Sequence, residues 1–124
     1  MFVSGPTTTV FVYGTLRQGE HNHALLGGRV PQRFARTRPT WELVDLGSYP
    51  ALLPGGTTAV LGEVYEVDDE TLLALDALEE HPTFYERTVI SLDDGSVVHA
   101  YGMARERVSD YESLSSGDWL APRR

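Results

Sequence analysis

Two neighbouring glutamates, Glu79 and Glu80, stand at the end of a segment whose leucines follow a helical repeat. Leu72, Leu75 and Leu78 define one apolar helix face. Glu79 follows Leu75 by four residues and shares that face, whereas Glu80 lies about 100° away and should be solvated. Burial and the negative end of the helix dipole would both raise the pKa of Glu79. A carboxyl group shifted in this direction is suited to general acid–base catalysis at neutral pH.

The position of Glu79 also has a purely structural explanation. A carboxylate on an apolar face can pair with a buried arginine such as Arg87, and structural ion pairs perturb pKa values as well. Spacing alone favours this ion pair over the catalytic interpretation.

A second candidate for chemistry is the segment from Val10 to Gly19 (VFVYGTLRQG), where an apolar strand runs directly into Gly14. A glycine at this point lets main-chain N–H groups converge on a carboxylate or phosphate, although an ordinary tight turn explains it equally well. The segment is not a P-loop, because Glu20 and His21 stand where Lys and Ser or Thr are needed. His21 and His23 are two residues apart and would not share a helix face, so we predict no metal site.

The composition excludes several classes of function. The chain has 124 residues, a net charge of −8 and no cysteine, which excludes disulfides and thiol catalysis. Every basic residue is arginine, so lysine Schiff-base chemistry is excluded as well. The negative charge disfavours binding to nucleic acid or to an anionic membrane. The N-terminus (MFVSGPTTTV) lacks the features of a signal peptide, and we expect a cytoplasmic protein with one domain over residues 1–124.

The pattern of the remaining residues predicts the elements that hold these groups. Residues 8–13 are β-branched and aromatic, as in a central strand buried on both faces. Helices are predicted at 20–26 and 68–80, and further strands at 40–46, 58–67, 85–92 and 97–104. Asp68 is the expected N-cap of the second helix. Five strands and two short helices indicate an α+β fold with a curved mixed or antiparallel sheet, which could close into a barrel.

Three blocks of sequence together carry a family resemblance. They are VFVYGTLRQG at Val10–Gly19 with Asn22-His23 after it, GEVYEV at Gly62–Val67, and LDALE at Leu75–Glu79 followed by Pro82 and Tyr85-Glu86-Arg87. In this order they resemble the γ-glutamylcyclotransferase-like superfamily, in particular its small members such as the γ-glutamylamine cyclotransferases and the enzyme that deprotects γ-glutamyl-butirosin. The likeness covers nearly the whole chain.

The resemblance implies a small β-barrel flanked by helices, with one cavity and no metal or cofactor. It implies that Glu79 is the acid–base residue for attack of a γ-glutamyl substrate's α-amine on its own γ-carbonyl, which yields 5-oxoproline and a free amine. The loop at positions 13–16 would hold the α-carboxylate through main-chain amides, and a tyrosine hydroxyl or an N–H would stabilise the oxyanion. The residues expected to contact substrate are Tyr13, Gly14, Thr15, Leu16, Tyr85 and Tyr101.

Two alternatives to catalysis by cyclisation stay open. The first is a non-catalytic pocket that binds an amino-acid-like carboxylate, with Glu79 paired to the ligand's ammonium. The second, which only the abundance of acids recommends, is glycoside hydrolysis by carboxylates such as Glu63 and Glu79. We expect Arg17 to be solvated, and we assign no role to His81 or His99.

Overall fold

The computed structural model of the chain describes residues 6–123. Much of the N-terminal segment behind the signal-peptide argument lies outside these residues, and one domain over residues 1–124 stays a prediction. The described elements are β1 (Thr8–Val12), β2 (Arg33–Arg36), β3 (Trp41–Asp45), β4 (Pro50–Pro54), β5 (Leu61–Val67), α1 (Asp69–Leu78), β6 (Glu86–Ser91), β7 (Val97–Gly102) and β8 (Glu112–Ser113), with short 3-10 helices at His23–Leu26 and Arg105–Arg107.

The strands form two sheets. The larger has the order β2-β5-β1-β7-β6, and the smaller has the order β4-β3-β8. β1 pairs antiparallel with β5 and parallel with β7, so the larger sheet is mixed. The fold is therefore α+β, as predicted. The two sheets are not closed into a single barrel, so the predicted barrel is not supported.

β1 is the central strand of the larger sheet, as its sequence predicts. Val10 and Val12 pack into a core cluster that includes Leu75 of α1. Phe11 faces the opposite way, into a second cluster that includes Leu43 and Leu52 of the smaller sheet. Because side chains alternate along a strand, burial on both faces requires the uninterrupted apolar pattern that this segment has.

α1 begins as predicted and ends two residues earlier than predicted. The Asp68 side chain caps the helix by accepting a hydrogen bond from the Thr71 N–H at 2.8 Å. Glu79 is the C-terminal cap, and Glu80 has a φ of 54°, which takes the chain out of the helix. Among the described residues, no helix combines the length and apolar character that crossing a membrane requires.

The strands that the sequence analysis omits are β2, β4 and β8. β4 has proline at both ends, a composition typical of turns. It nevertheless forms a strand, because its apolar residues Ala51, Leu52 and Leu53 are fully buried where β4 pairs with β3. The helix predicted at 20–26 is shorter than expected and is a 3-10 helix.

Candidate active site

A cavity of about 460 Å³ opens where the end of β1, the turn before β4 and the end of α1 meet. Its volume is in the range of small-molecule sites. Every residue predicted to form the site lines this cavity, namely Tyr13, Gly14, Thr15, Leu16, Glu79, Tyr85 and Tyr101. Arg17, His81 and His99 do not line it. The fold therefore brings together residues that lie up to 88 positions apart, as Tyr13 and Tyr101 do.

Glu79 reaches the cavity from the last turn of α1, where its own main-chain N–H still donates to the Leu75 carbonyl at 2.9 Å. The side chain is partly buried, and burial raises the pKa of its carboxyl group from an ordinary 4.5 to about 7. Among residues 6–123 the carboxylate has neither a hydrogen bond nor an ion pair. The pKa shift therefore has the predicted direction and the predicted cause, desolvation.

The structural alternative, an ion pair between Glu79 and Arg87, is not formed. Arg87 instead binds Asp76, one helical turn earlier, with Nε 2.9 Å from Oδ1 and Nη2 3.1 Å from Oδ2. Tyr101 donates a further hydrogen bond to Asp76 Oδ1 at 2.5 Å. Burial of Asp76 acts to raise its pKa, but the hydrogen bonds from Arg87 and Tyr101 outweigh burial and hold the pKa below its usual value. The pKa values of Asp76 and Glu79 thus shift in opposite directions, because Asp76 is paired with a cation and Glu79, among the described residues, is not.

The loop after β1 presents unused hydrogen-bond donors. Within the described residues, the main-chain N–H groups of Gly14, Thr15 and Leu16 donate no hydrogen bond. Buried main-chain amides are almost always paired, so three successive free donors in a cavity wall indicate a site for an acceptor. Asn22 fixes the loop from the other side, since its Nδ2 donates to Thr15 Oγ1 at 2.9 Å and its N–H donates to the Thr15 carbonyl at 3.0 Å.

Gly14 is required here because another part of the chain approaches it closely. A Cβ atom at this position would lie 2.7 Å from Cγ and 2.8 Å from Cδ of Pro50 at the start of β4. Such distances are well below van der Waals contact. Glycine therefore allows the loop after β1 to approach β4 closely at the cavity wall. This steric requirement is a more specific reason for glycine at position 14 than backbone flexibility.

The hydroxyl group of Tyr13 is occupied by main-chain partners. It donates to the Tyr101 carbonyl at 2.5 Å and accepts from the Leu52 N–H at 3.0 Å. These two bonds link the larger sheet to the smaller one behind the cavity. Burial and the nearby Tyr85 and Glu79 raise the pKa of Tyr13 well above its ordinary value, so the hydroxyl stays protonated.

The other two candidate tyrosines also donate to protein groups. Tyr85 donates to the Pro50 carbonyl at 2.6 Å, and Tyr101 donates to Asp76. A tyrosine hydroxyl has one hydrogen to donate. In this arrangement the hydroxyl hydrogens of all three tyrosines are already used, whereas the main-chain amides of Gly14, Thr15 and Leu16 are free donors among the described cavity-lining residues.

Two aromatic residues of the cavity wall, Tyr49 and Phe84, were not predicted from the sequence. Tyr49, Phe84 and Tyr85 form an edge-to-face cluster, with ring centroids 5.9 Å apart for Tyr49 and Phe84 and 5.2 Å apart for Phe84 and Tyr85. Tyr49 lies in a turn and Phe84 follows the end of the helix, so neither belongs to a periodic pattern. The one sequence feature that indicates a role for Phe84 is its position directly before Tyr85, a predicted site residue.

Arg17 and Glu63 occupy different environments from those expected. Arg17 is 5% exposed rather than solvated, and its Nε lies 3.2 Å from Glu63 Oε2. Glu63 is 1% exposed, also accepts a hydrogen bond from the Tyr65 hydroxyl at 2.8 Å, and does not line the cavity. It therefore does not face Glu79 across a substrate site, and the suggestion of a glycosidase pair lacks support.

The chain is similar to known proteins in sequence and in fold. Residues 10–121 match the family described as gamma-glutamyl cyclotransferase, AIG2-like. The gamma-glutamylcyclotransferase family protein YtfP of Escherichia coli is 36% identical over 113 residues, which cover 90% of this chain and 95% of that protein. A gamma-glutamylaminecyclotransferase of Bos taurus is 45% identical over 94 residues, which cover 68% of this chain and 56% of that protein.

Among solved structures, the crystal structure of an AIG2-like protein from Mus musculus superposes with a TM-score of 0.75 at 30% identity, covering 96% of this chain and 98% of that one. The family match spans the loop after β1, all of α1 and the cavity tyrosines. The chain therefore belongs to the gamma-glutamyl cyclotransferase, AIG2-like family.

Proposed function

We propose that the chain is a cyclotransferase that releases 5-oxoproline and a free amine from a γ-glutamyl amine or a γ-glutamylated metabolite. The observation that carries the proposal is the position of the Glu79 carboxylate. It is partly desolvated, has no described protein partner, and shares one cavity with the unpaired amides of Gly14, Thr15 and Leu16. The head group of a γ-glutamyl substrate is a zwitterion. Its ammonium would pair with the Glu79 carboxylate, and its carboxylate would accept hydrogen bonds from the unpaired amides.

The reaction is an acyl transfer to the substrate's own amine and is formally the loss of an amine by C–N cleavage. Glu79 accepts a proton from the α-ammonium, and the freed lone pair attacks the γ-carbonyl carbon. The new C–N bond gives a tetrahedral oxyanion, Glu79 returns its proton to the leaving nitrogen, and the original amide C–N bond breaks as the carbonyl re-forms. The second proton of the attacking nitrogen passes to the leaving nitrogen in the same way, through Glu79. Over the whole reaction the attacking nitrogen goes from three hydrogens to one, and the nitrogen of a primary leaving amine goes from one to three.

The site supports each step in a definite way. The attack is intramolecular, so the cavity has to hold the substrate in a folded conformer rather than join two molecules. A Glu79 pKa of about 7 lets this carboxylate both accept and return a proton near neutral pH. The free main-chain donors at positions 14–16 would fix the α-carboxylate, and a donor among them or close to them would stabilise the tetrahedral oxyanion.

The test is release of 5-oxoproline from a panel of γ-glutamyl amines and γ-glutamylated metabolites. We expect turnover by the wild type and a loss of about 10²–10⁴-fold in Glu79→Gln, because general acid–base catalysis contributes this much. Glu70→Gln is the matched control, since Glu70 is exposed on the same helix and lies outside the cavity. Binding of 5-oxoproline or glutamate without turnover of any compound would instead support a non-catalytic pocket.

A further inference from the structure

A buried charge network lies behind the loop that carries the three cavity amides. Glu63 on β5 accepts from Arg17 Nε at 3.2 Å and from the Gln18 N–H at 3.0 Å. The guanidinium of Arg17 reaches further, and its Nη1 lies 2.8 Å from Asp118 Oδ1 near the C-terminal end of the chain. One carboxylate in the core and one in the C-terminal segment therefore hold two successive loop residues.

The network is attached directly to the loop whose cavity-lining residues have free amides. Arg17 follows Leu16 in the chain, and the Arg17 N–H donates to the Gly14 carbonyl at 3.0 Å, which closes the turn over Thr15 and Leu16. A shift of Arg17 or Gln18 would therefore rotate the peptide groups whose N–H donors are free. Hydrogen-bond strength falls steeply with misalignment, so a small rotation is sufficient to weaken an anion site.

The charge of Arg17 is not available to a ligand. Its side chain does not line the cavity, and two carboxylates neutralise it. Any effect on substrate must therefore act through the geometry of the loop.

The C-terminal segment is held in a fixed position where it meets the network. Asp118 Oδ1 also accepts from the Leu120 N–H at 3.0 Å, and the neighbouring Gly117 carbonyl accepts from the N–H of Leu61, the first residue of β5, at 2.8 Å. The segment and β5 are thus joined next to Glu63. Because buried ion pairs contribute little net stability, a positioning role would account for this network.

We infer that Arg17, together with Glu63 and Asp118, is a positioning residue that sets the affinity of the main-chain amides at positions 14–16 for the substrate carboxylate. The inference rests on the proposed function, because it assigns those amides to the α-carboxylate of a γ-glutamyl group. It adds that a residue more than 100 positions along the chain from the loop, Asp118, influences substrate binding from outside the cavity.

The experiment compares Glu63→Gln and Asp118→Asn with the wild type. We measure kcat and KM on the panel substrate with the highest turnover, and Kd for 5-oxoproline by calorimetry, which needs no turnover. Both variants should raise KM and Kd by about tenfold, as expected when a charged hydrogen bond is weakened, with kcat changed less than about threefold. The acid limb of the pH profile should not move, because Glu79 is not part of the network.

Glu42→Gln is the control for a general loss of an ion pair. Glu42 lies on β3 of the smaller sheet, pairs with Arg105 at 2.8 Å and does not line the cavity. This variant should leave KM and Kd unchanged. Because Asp118 is partly exposed, its variant tests the inference even if Glu63→Gln does not fold.

The outcomes separate this inference from the proposed function. Lower thermal stability with unchanged KM and Kd in both variants would make the network purely structural and overturn the inference. Weaker 5-oxoproline binding in the variants, combined with no turnover by the wild type, would support the inference while the proposed function failed. A wild type that neither binds 5-oxoproline nor turns over any substrate would overturn both.

Discussion

Arg87 binds Asp76 through two hydrogen bonds, at 2.9 and 3.1 Å, and leaves Glu79 without a cation among the described residues. Asp76 on α1 and Glu79, the C-terminal cap of that helix, are three residues apart, a spacing at which side chains on a helix are neighbours. The positive charge of Arg87 is therefore neutralised one turn before the cavity. Because of this, the burial of Glu79 is not offset by an ion pair, and its pKa rises to about 7.

Replacing Asp76 with Asn should move the pH profile of the reaction to lower pH. In the wild type we expect kcat/KM to rise through a midpoint near pH 7 as the Glu79 carboxyl group loses its proton. Asp76→Asn removes a neighbouring negative charge and leaves the Arg87 charge unpaired, and both changes favour ionised Glu79. The pKa of Glu79 should therefore fall, and the acid limb of kcat/KM should shift with it.

Asp69→Asn provides the control, because Asp69 is exposed in the first turn of the same helix. Its pH profile should match that of the wild type. An acid limb that stays in place in Asp76→Asn would show that Arg87 and Asp76 do not control the ionisation of Glu79.

Glu79 should make the stability of the protein depend on pH. Its carboxyl group has a pKa of about 7 in the folded chain and an ordinary value of 4.5 when exposed, so the folded state binds the proton more tightly. The contribution of Glu79 to the free energy of unfolding is therefore largest below pH 4.5, and this contribution is lost as the pH rises through 7. Each pKa unit between the two states corresponds to about 1.4 kcal/mol, which sets an upper limit of between about 3 and 4 kcal/mol.

Glu79→Gln removes this dependence. We expect the variant to be more stable than the wild type at pH 8 and the difference to diminish toward pH 4.5, as measured by urea unfolding at several pH values. Equal stability of the two chains at pH 8 would contradict the desolvation of Glu79. This measurement requires no substrate.

The elements that were predicted correctly are those whose sequence patterns involve residues close together in the chain. The uninterrupted apolar run of β1, the cap at Asp68 and the leucine repeat of α1 each depend on near neighbours in the chain, and each is present in the structure. The position of Glu79 toward the cavity follows from the same repeat. β4 was missed because its propensity, with two prolines in five residues, is overridden by burial against β3.

Partners that are distant in the chain were beyond prediction. Arg17 reads as a loop residue, and its burial depends on Glu63 and Asp118, which lie 46 and 101 positions away. The helical spacing likewise makes Asp76 and Glu79 neighbours. It does not determine which of the two pairs with Arg87. Arg87 pairs with Asp76 because of the positions of β6, which carries Arg87, and β7, which carries Tyr101.

Tyr13→Phe should reduce stability with little effect on catalysis. The Tyr13 hydroxyl joins the Tyr101 carbonyl to the Leu52 N–H, so its removal leaves buried main-chain groups unpaired at a cost of about 1–3 kcal/mol. If the oxyanion is stabilised by main-chain amides, kcat should fall less than about tenfold, whereas loss of an oxyanion donor costs about 10²–10³-fold. Urea unfolding and steady-state kinetics measure the two effects. A hundredfold loss of kcat at unchanged stability would identify the Tyr13 hydroxyl as the oxyanion donor.

Gly14→Ala should disturb the loop through contact with Pro50. The new Cβ atom would lie 2.7 Å from Pro50 Cγ, so the loop or β4 has to move, at a cost of about 1–3 kcal/mol for overpacking. Since Gly14 precedes Thr15 and Leu16, the movement should displace the free amides and raise KM and the Kd for 5-oxoproline.

The double variant Gly14→Ala/Pro50→Ala tests whether contact with Pro50 is the cause. Alanine at position 50 removes the two ring carbons that would meet the new Cβ atom, so the double variant should recover much of the lost stability and affinity. Interaction energies between residues in contact typically exceed about 0.5 kcal/mol in such cycles. Pro50→Ala alone is the control, and it should retain the wild-type Kd within a few-fold. Effects of the two substitutions that simply add would show that Gly14 is required for a reason other than the approach of Pro50, such as its backbone conformation.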